Sequence, residues 1–230
     1  MLSCNWIECA KQFLQAGLKM EQIFPWGYFV PSSSKKMGFR ERSARLNLVF
    51  IGNLISIKGL DLVIQAINEI NKEEKGAITL EVFGYGDPTK WISSSSIGIT
   101  YQGIIPFGHS QEIVKNYDYL VLPSRHDGWG VVVNEALLQG VPVILSDRVG
   151  AKALVEKSGA GILFKSENVD DLKYLLLTLL SDPQKQAQYA EKAAQMAGKI
   201  TPSAAAIYLE EILNYYYFSK GQRPIPNWER

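Results

Sequence analysis

The chain has 230 residues, 47% of them hydrophobic and 20% charged, with a formal net charge of +1. That balance describes an ordinary soluble globular chain, one large domain or one domain with an appendage, and it excludes an electrostatic pull toward nucleic acid. No apolar run approaches the roughly 20 residues of a membrane-spanning helix, and two cysteines, Cys4 and Cys9, are too few for a disulfide framework and lack a neighbouring histidine for a zinc site.

The cysteines therefore read as reduced cytosolic thiols. Glu8 and Lys11 interrupt the first residues, so they are no signal peptide, and Leu2-Ser3-Cys4 lacks the apolar stretch of a lipoprotein signal. Ile7 to Ala16 reads as a short helix stopped by Gly17, and Ile23 to Val30 as an extended segment; together they are too small for a core. Pro31 to Arg42, rich in serine and lysine, has the composition of a boundary. From there strands alternate with helices: strand Leu46 to Ile51, amphipathic helix Leu60 to Ile70, strand Ala77 to Phe83 and a short strand Thr100 to Gly103. Ser93 to Ser96 reads as a surface loop. Ser110 to Asn116 is helical and leads into the apolar run Tyr119 to Leu122, and Val131 to Gln139 reads as a helix stopped by Gly140 and Pro142. Val141 to Leu145, Ala151 to Glu156 and Gly161 to Phe164 continue the alternation. Three helical stretches follow, Val169 to Leu180, Pro183 to Ala197 and Ser203 to Phe218. This order predicts an α/β fold, a doubly wound, Rossmann-like parallel sheet with helices on both faces.

The most informative stretch runs from Leu122 to Ile144, LPSRHDGWGVVVNEALLQGVPVI. Pro123 to Gly130 cannot continue the preceding strand, so this loop lies at a strand's carboxyl end, and Gly128 and Gly130 fall just before a helix N-terminus. Backbone N–H groups without intrahelical partners and the positive end of the helix dipole stabilise a phosphate there, and glycine lets the chain come close to it. Glu135 lies about one turn inside the helix, eight positions after Asp127. A carboxylate so placed can accept hydrogen bonds from two vicinal hydroxyls, as a ribose presents them, and Asp127, ahead of the helix, can hold sugar hydroxyls. The bland alternative makes Asp127 a turn cap and Glu135 a solvated helix residue.

The segment resembles the signature of retaining nucleotide-sugar glycosyltransferases of the family 4 type: Pro123-Ser124, then the acidic, glycine, aromatic, glycine order of Asp127, Gly128, Trp129 and Gly130, then Glu135-Ala136 and Gly140-Val141-Pro142-Val143. The first acidic position is usually glutamate; Asp127 keeps the charge and shortens the reach by one methylene. Phe50 to Asp61 is similar to the family's G-R-L and K-G pattern, with Gly52, Leu54, Lys58 and Gly59 matching and Asn53 standing where the arginine is usual. The resemblance implies that Lys58 holds the diphosphate, Asp127 the sugar hydroxyls, Glu135 the ribose, and the amides around Gly128 to Val131 the phosphate and sugar. It names Asp127, Glu135 and Lys58 as catalytic, and Gly52, Asn53, Trp129 and Gly130 with them as donor-binding. Loss of one charged donor to a leaving group costs about 2.7 to 4 kcal/mol of barrier, so Asn53 implies lowered activity.

Weaker signals surround this core. Gly84-Tyr85-Gly86 follows a strand but lacks the third glycine of a dinucleotide loop, and reads as a turn near the base, while Gly103 to Pro106 resembles the family's backbone stretch beside the base. His126 either contacts the donor sugar or lines the loop, and His109 and Ser110 cap or precede a helix. No cluster has metal spacing, and the resemblance implies neither metal nor cofactor, the nucleotide sugar being a substrate. The aromatic run Tyr208 to Phe218 is either a helix packed on the sheet through Tyr208, Ile212, Tyr215 and Tyr216, or an aromatic surface uncovered by a missing first domain, which then marks an interface.

By resemblance, residues 1–42 are the remnant of a first domain and a linker, residues 43–200 the nucleotide-sugar-binding domain, and residues 201–230 a crossover helix and tail. The expected function is the donor half of a retaining transferase that moves a sugar from a UDP- or GDP-linked donor to a carbohydrate or lipid-linked acceptor. A separate acceptor domain or a homodimer would complete it, in the cytoplasm or peripherally at the inner membrane surface. Two alternatives stay open: a non-catalytic nucleotide-sugar-binding module, and an interaction protein whose site has decayed.

Overall fold

The computed structural model describes residues 6–33, 45–218 and 221–230. The side chains of Cys4 and Cys9, and residues 34–42 of the expected boundary, lie outside the described set. Six parallel strands form one sheet: β1 (Leu46–Ile51), β2 (Ile78–Phe83), β3 (Ile99–Gly103), β4 (Tyr119–Leu122), β5 (Val143–Ser146) and β6 (Gly161–Phe164), in the order β3-β2-β1-β4-β5-β6. β4 (YLVL) and β5 (VILS) are buried at every position, β1 at four of six, whereas β2 alternates buried with half-buried residues and β3 exposes Thr100 and Gln102 at the edge. Continuous apolar runs thus occupy the middle of the sheet, where both faces are covered.

Among the helices, α1 (Trp6–Gln15) precedes the sheet, and α2 (Leu60–Glu73), α3 (Ser110–Val114), α4 (Val131–Leu138) and α5 (Ala153–Glu156) connect its strands. In α2 the buried Leu60, Val63, Ile67 and Ile70 repeat at intervals of three and four and form the stripe that meets the sheet. Its buried Asn71 closes the return: the amide donates to the carbonyls of Ile78 and Ile97, and Oδ1 accepts from Ile78 N–H. α6 (Val169–Ser181) is capped by Asn168 and α7 (Pro183–Ala197) by Asp182 with proline in its first turn; α8 (Pro202–Phe218) completes the set. α5 is shorter than the helix expected from Ala151, because Gly150–Lys152 form a 3-10 turn before it.

The aromatic run of α8 does not pack as the first expectation had it. Tyr208 is fully buried, but its ring stacks on Trp26 of the N-terminal segment at 5.8 Å and meets Trp228 of the tail at 6.3 Å, not the sheet. Tyr215 meets Phe24, while Tyr216, Tyr217 and Phe218 are exposed. Arg223 clasps the same segment, donating to the carbonyls of Met20 and Ile23 over the ring of Phe24.

From Ile23 to Ser33 this segment is a strap across α3 and α4. Asn134 donates to Tyr28 O at 2.8 Å, Gln111 donates to Pro31 O and accepts from Ser33 N–H, each at 2.8 Å, and Gln139 donates to Ser33 Oγ and Gln111 Oε1. Asn134, Gln111 and Gln139 are buried, and the bonds made by Asn134 and Gln111 and by the Gln139 NH2 group offset part of the cost of burying an amide, about 1–3 kcal/mol each, while Gln139 Oε1 has no hydrogen-bond partner among the described residues.

Candidate functional site

The strand order reverses direction between β1 and β4, whose loops leave the carboxyl edge on diverging courses, and such a switch point opens a crevice. Gly59 brings the two loops together. Its φ of +69° suits glycine, and a Cβ there would lie 2.1 Å from Pro123 O. Just before it the 3-10 turn Ser56–Lys58 aims Lys58 at the second loop, where Nζ donates to Asp127 Oδ2 at 2.6 Å. The side chains are 23% and 12% exposed, so each charge has its partner in a partly desolvated place. Asp127 is held on every side: its N–H donates to Arg148 O, its carbonyl accepts from Gly150 N–H, and Oδ1 accepts from Trp129 N–H. Gly150 makes this approach feasible, since a Cβ would lie 2.1 Å from Gly128 O.

Arg125 ties the loops a second time. Its guanidinium forks onto Asp61 in the first turn of α2 at 2.8 and 2.6 Å, donates to Ser56 O at 2.6 Å, and donates through Nε to Glu167 at 2.5 Å; its backbone N–H donates to Ile57 O. The hydrogen bond from Arg125 holds the Asp61 carboxyl below its ordinary value of 3.8.

α4 begins after Gly130, whose φ is +85°, and no side chain caps it. Tyr28, Lys58, Asp127, Gly128, Gly130 and Val131 are among the residues lining a cleft of about 300 Å³ in front of that N-terminus. The site therefore offers one cation, one carboxylate and the positive end of a helix dipole to a ligand, an arrangement suited to a phosphate attached to a hydroxylated group.

The structure brings Lys58, Asp127, Gly128, Trp129, Gly130 and Val131 together around this cleft. Trp129 reaches it differently from a contact side chain: the indole is 4% exposed, and Nε1 donates to Asn134 Oδ1 at 2.7 Å. Glu135 lies about 6 Å further along α4, outside the cleft lining, and takes a hydrogen bond from the Ser110 hydroxyl. Burial raises its pKa above the ordinary 4.5 against that opposing hydrogen bond. Gly52 and Asn53 also lie outside the lining; Asn53 is exposed, and Gly52 N–H donates to Phe83 O. The 84–86 turn packs on that loop, with Gly84 against Gly52 O and Gly86 against Leu54. His126 is exposed outside the cleft, and His109 takes the N-cap position of α3 without a side-chain bond.

Arg125, Asn134 and Tyr28 were missed by sequence reasoning. Asp61 in a first helical turn was a signal for a distant cation, and Gly27 for close backbone approach, since a Cβ there would lie 2.5 Å from Trp129. Nothing marked Asn134 as their link. Among the described residues, no group of three or more His, Cys, Asp or Glu is placed to hold a metal ion, and no helix is long and apolar enough to cross a membrane.

Comparison with known proteins places this geometry in context. The model of the family described as glycosyl transferases group 1 matches residues 34–196. The chain is 24% identical over 215 residues to the alpha-D-kanosaminyltransferase of Streptomyces kanamyceticus, covering 86% of this chain and 55% of that protein. It is 26% identical over 162 residues to the poly(glycerol-phosphate) alpha-glucosyltransferase of Bacillus subtilis, covering 68% and 24%. The chain spans about half the length of the first curated relatives it matches. Among solved structures it shares its fold with a mutant of S. aureus TarM in complex with fondaparinux, alpha-GlcNAc-glycerol and UDP, at a TM-score of 0.70 and 19% identity over 88% of this chain and 42% of that one. HepE of Anabaena in complex with UDP matches at a TM-score of 0.63 and 20% identity, over 74% and 49%.

Proposed function

The chain belongs to the glycosyl transferases group 1 family, and from that premise we propose that it is the donor half of a retaining transferase, binding a UDP- or GDP-linked sugar at the β1/β4 switch point. The observation that carries this reading is the Lys58–Asp127 pair facing the uncapped N-terminus of α4 across one cleft. The presence of UDP in complexes of TarM and HepE, which share the fold, supports the choice of a nucleotide ligand.

In the free protein each member of the pair neutralises the other. A diphosphate entering the cleft competes with Asp127 for Lys58, and the released carboxylate becomes an acceptor for sugar hydroxyls. Glu135 exchanges the Ser110 hydroxyl for those of the ribose. In transfer, the bond from C1 of the sugar to the diphosphate oxygen breaks and its electron pair goes to that oxygen. The acceptor hydroxyl oxygen bonds to C1 on the same face and gives its proton to the departing diphosphate oxygen. Lys58 and the α4 amides stabilise the charge that grows on the leaving group. The acceptor is a carbohydrate or lipid-linked hydroxyl held by a separate acceptor-binding domain or a second copy, with peripheral membrane association in the lipid-linked case; no metal or other cofactor takes part.

On this reading residues 1–42 are the remnant of a first domain and a linker, residues 43–200 the donor domain, and residues 201–230 a crossover helix and tail. Asn53 favours a second reading, a binding module without turnover, because this exposed neutral amide stands where the family's pattern has a second cation.

Calorimetric titration with UDP, GDP and ADP tests the site. Saturable binding of one nucleotide, weakened about tenfold by Glu135→Ala, roughly 1.4 kcal/mol, is the expected result. Binding of none, or binding untouched by the substitution, would refute it. Turnover beside an acceptor domain separates transferase from module.

A further inference from the structure

Tyr28 lies outside residues 34–196, the part of the chain that the family model matches, yet it lines the same cleft as Lys58 and Asp127. The strap that carries it is fixed at this point by the aromatic residue of the glycine-rich loop. Trp129 Nε1 donates to Asn134 Oδ1 at 2.7 Å, and Asn134 Nδ2 donates to Tyr28 O at 2.8 Å. Both Trp129 and Asn134 are buried, so the bond between them is shielded from water, and the bond to Tyr28 O is partly so. Gly27 lets the strap lie flat on the indole, because any Cβ would fall 2.5 Å from the ring. The neighbouring Tyr28 ring then sits 5.9 Å from that of Trp129, tilted by 47°, and is 43% exposed.

Resting on the donor-site reading above, we propose that Tyr28 is a substrate-contacting residue, its ring forming the wall of the sugar subsite against the C–H face of the transferred pyranose. Within the cleft the polar groups are already allocated by their chemistry: Lys58 and the start of α4 suit phosphate, and Asp127 suits hydroxyls. A pyranose also has an apolar face, and an aromatic side chain with an apolar body and a polar tip matches it. The position distinguishes sugar from base. Tyr28 stands beside Lys58 and Asp127, at the end of the site that takes the diphosphate and sugar, whereas Glu135 and Ser110, on the ribose side, lie outside the cleft lining. Trp129 and Asn134 are positioning residues, acting on the substrate through Tyr28.

The test titrates the wild-type chain, Tyr28→Ala, Tyr28→Leu and Tyr28→Phe with UDP, UDP-glucose, UDP-N-acetylglucosamine, GDP and GDP-mannose. Tyr28→Ala is expected to leave affinity for the preferred nucleoside diphosphate within about twofold and to lower affinity for its sugar conjugate by about fivefold or more, with Phe retaining the affinity and Leu falling between. Equal losses for nucleotide and conjugate, or no loss for either, would overturn the proposal while leaving the donor site standing. If the wild-type chain binds none of the five, the donor-site reading falls and takes this proposal with it. Thermal unfolding of each variant identifies any loss that comes from misfolding, and Tyr28→Phe and Tyr28→Leu, which keep the bulk against Trp129, then decide the outcome.

Discussion

Replacing Arg125 by methionine removes the clamp between the two loops while keeping the aliphatic stem. The guanidinium makes four contacts of unequal worth. Glu167 is 60% exposed, so that pair contributes well under about 1 kcal/mol. The fork onto Asp61 is bidentate, but the carboxylate is 41% exposed, and about 1 kcal/mol is the appropriate scale. The charged donor to Ser56 O adds about another 1 kcal/mol. Arg125→Met should therefore destabilise the chain by about 2 kcal/mol, read as a lower urea midpoint at unchanged m. The pH dependence supplies the sharper check. The folded-state pKa of Asp61 is depressed below 3.8, so its contribution is fully present above that value and is lost as pH falls through the folded pKa. In the variant that part of the acid limb disappears, and the stability difference between the two proteins narrows as pH drops below the carboxylate range. A difference that is the same at neutral and acid pH, or a midpoint unchanged at neutral pH, would refute the clamp.

Gly59→Ala combines a positive φ with a Cβ 2.1 Å from Pro123 O, and should cost about 2 kcal/mol or more and separate the loops; a wild-type urea midpoint would count against the close approach. For Glu135 the sign is opposite to that of Asp61. Its folded-state pKa is raised, so its contribution is fully present below 4.5 and is lost as pH rises through the raised value. Glu135→Gln should thus stabilise the ligand-free chain at neutral pH, read as a higher urea midpoint, and weaken nucleotide binding at the same time. Wild-type affinity for nucleotide should fall as pH is lowered through that raised pKa, and an affinity flat from neutral pH to 4.5 would contradict the assignment.

The sheet was legible because its strands are short apolar runs separated by turn signals, and β4 and β5, buried on both faces, show no alternation to confuse. The cleft was legible for a related reason: Lys58, Asp127 and the glycines before α4 all lie in the loops that directly follow the strand ends at Ile51 and Leu122, where loop chemistry and the course of the chain coincide. The partners of those residues were not legible. Arg125 and Asp61 are 64 positions apart, and Asn134 and Tyr28 are 106 apart, and no local periodicity reports a hydrogen bond across that separation. The C-terminal aromatics show the limit of composition. Tyr208 and Tyr217 are the same residue type on one helix, and the positions of Trp26 and Trp228, far from both in sequence or beyond the helix, bury the first while the second is 70% exposed.

The most direct test is a crystal structure of the chain with the nucleotide it binds most tightly among UDP, GDP and ADP. The account predicts Lys58 Nζ within hydrogen-bonding distance of a phosphate oxygen, its 2.6 Å contact with Asp127 opened, and the ribose hydroxyls on Glu135. A nucleotide bound elsewhere, with the Lys58–Asp127 pair intact and Glu135 still on Ser110, would contradict it.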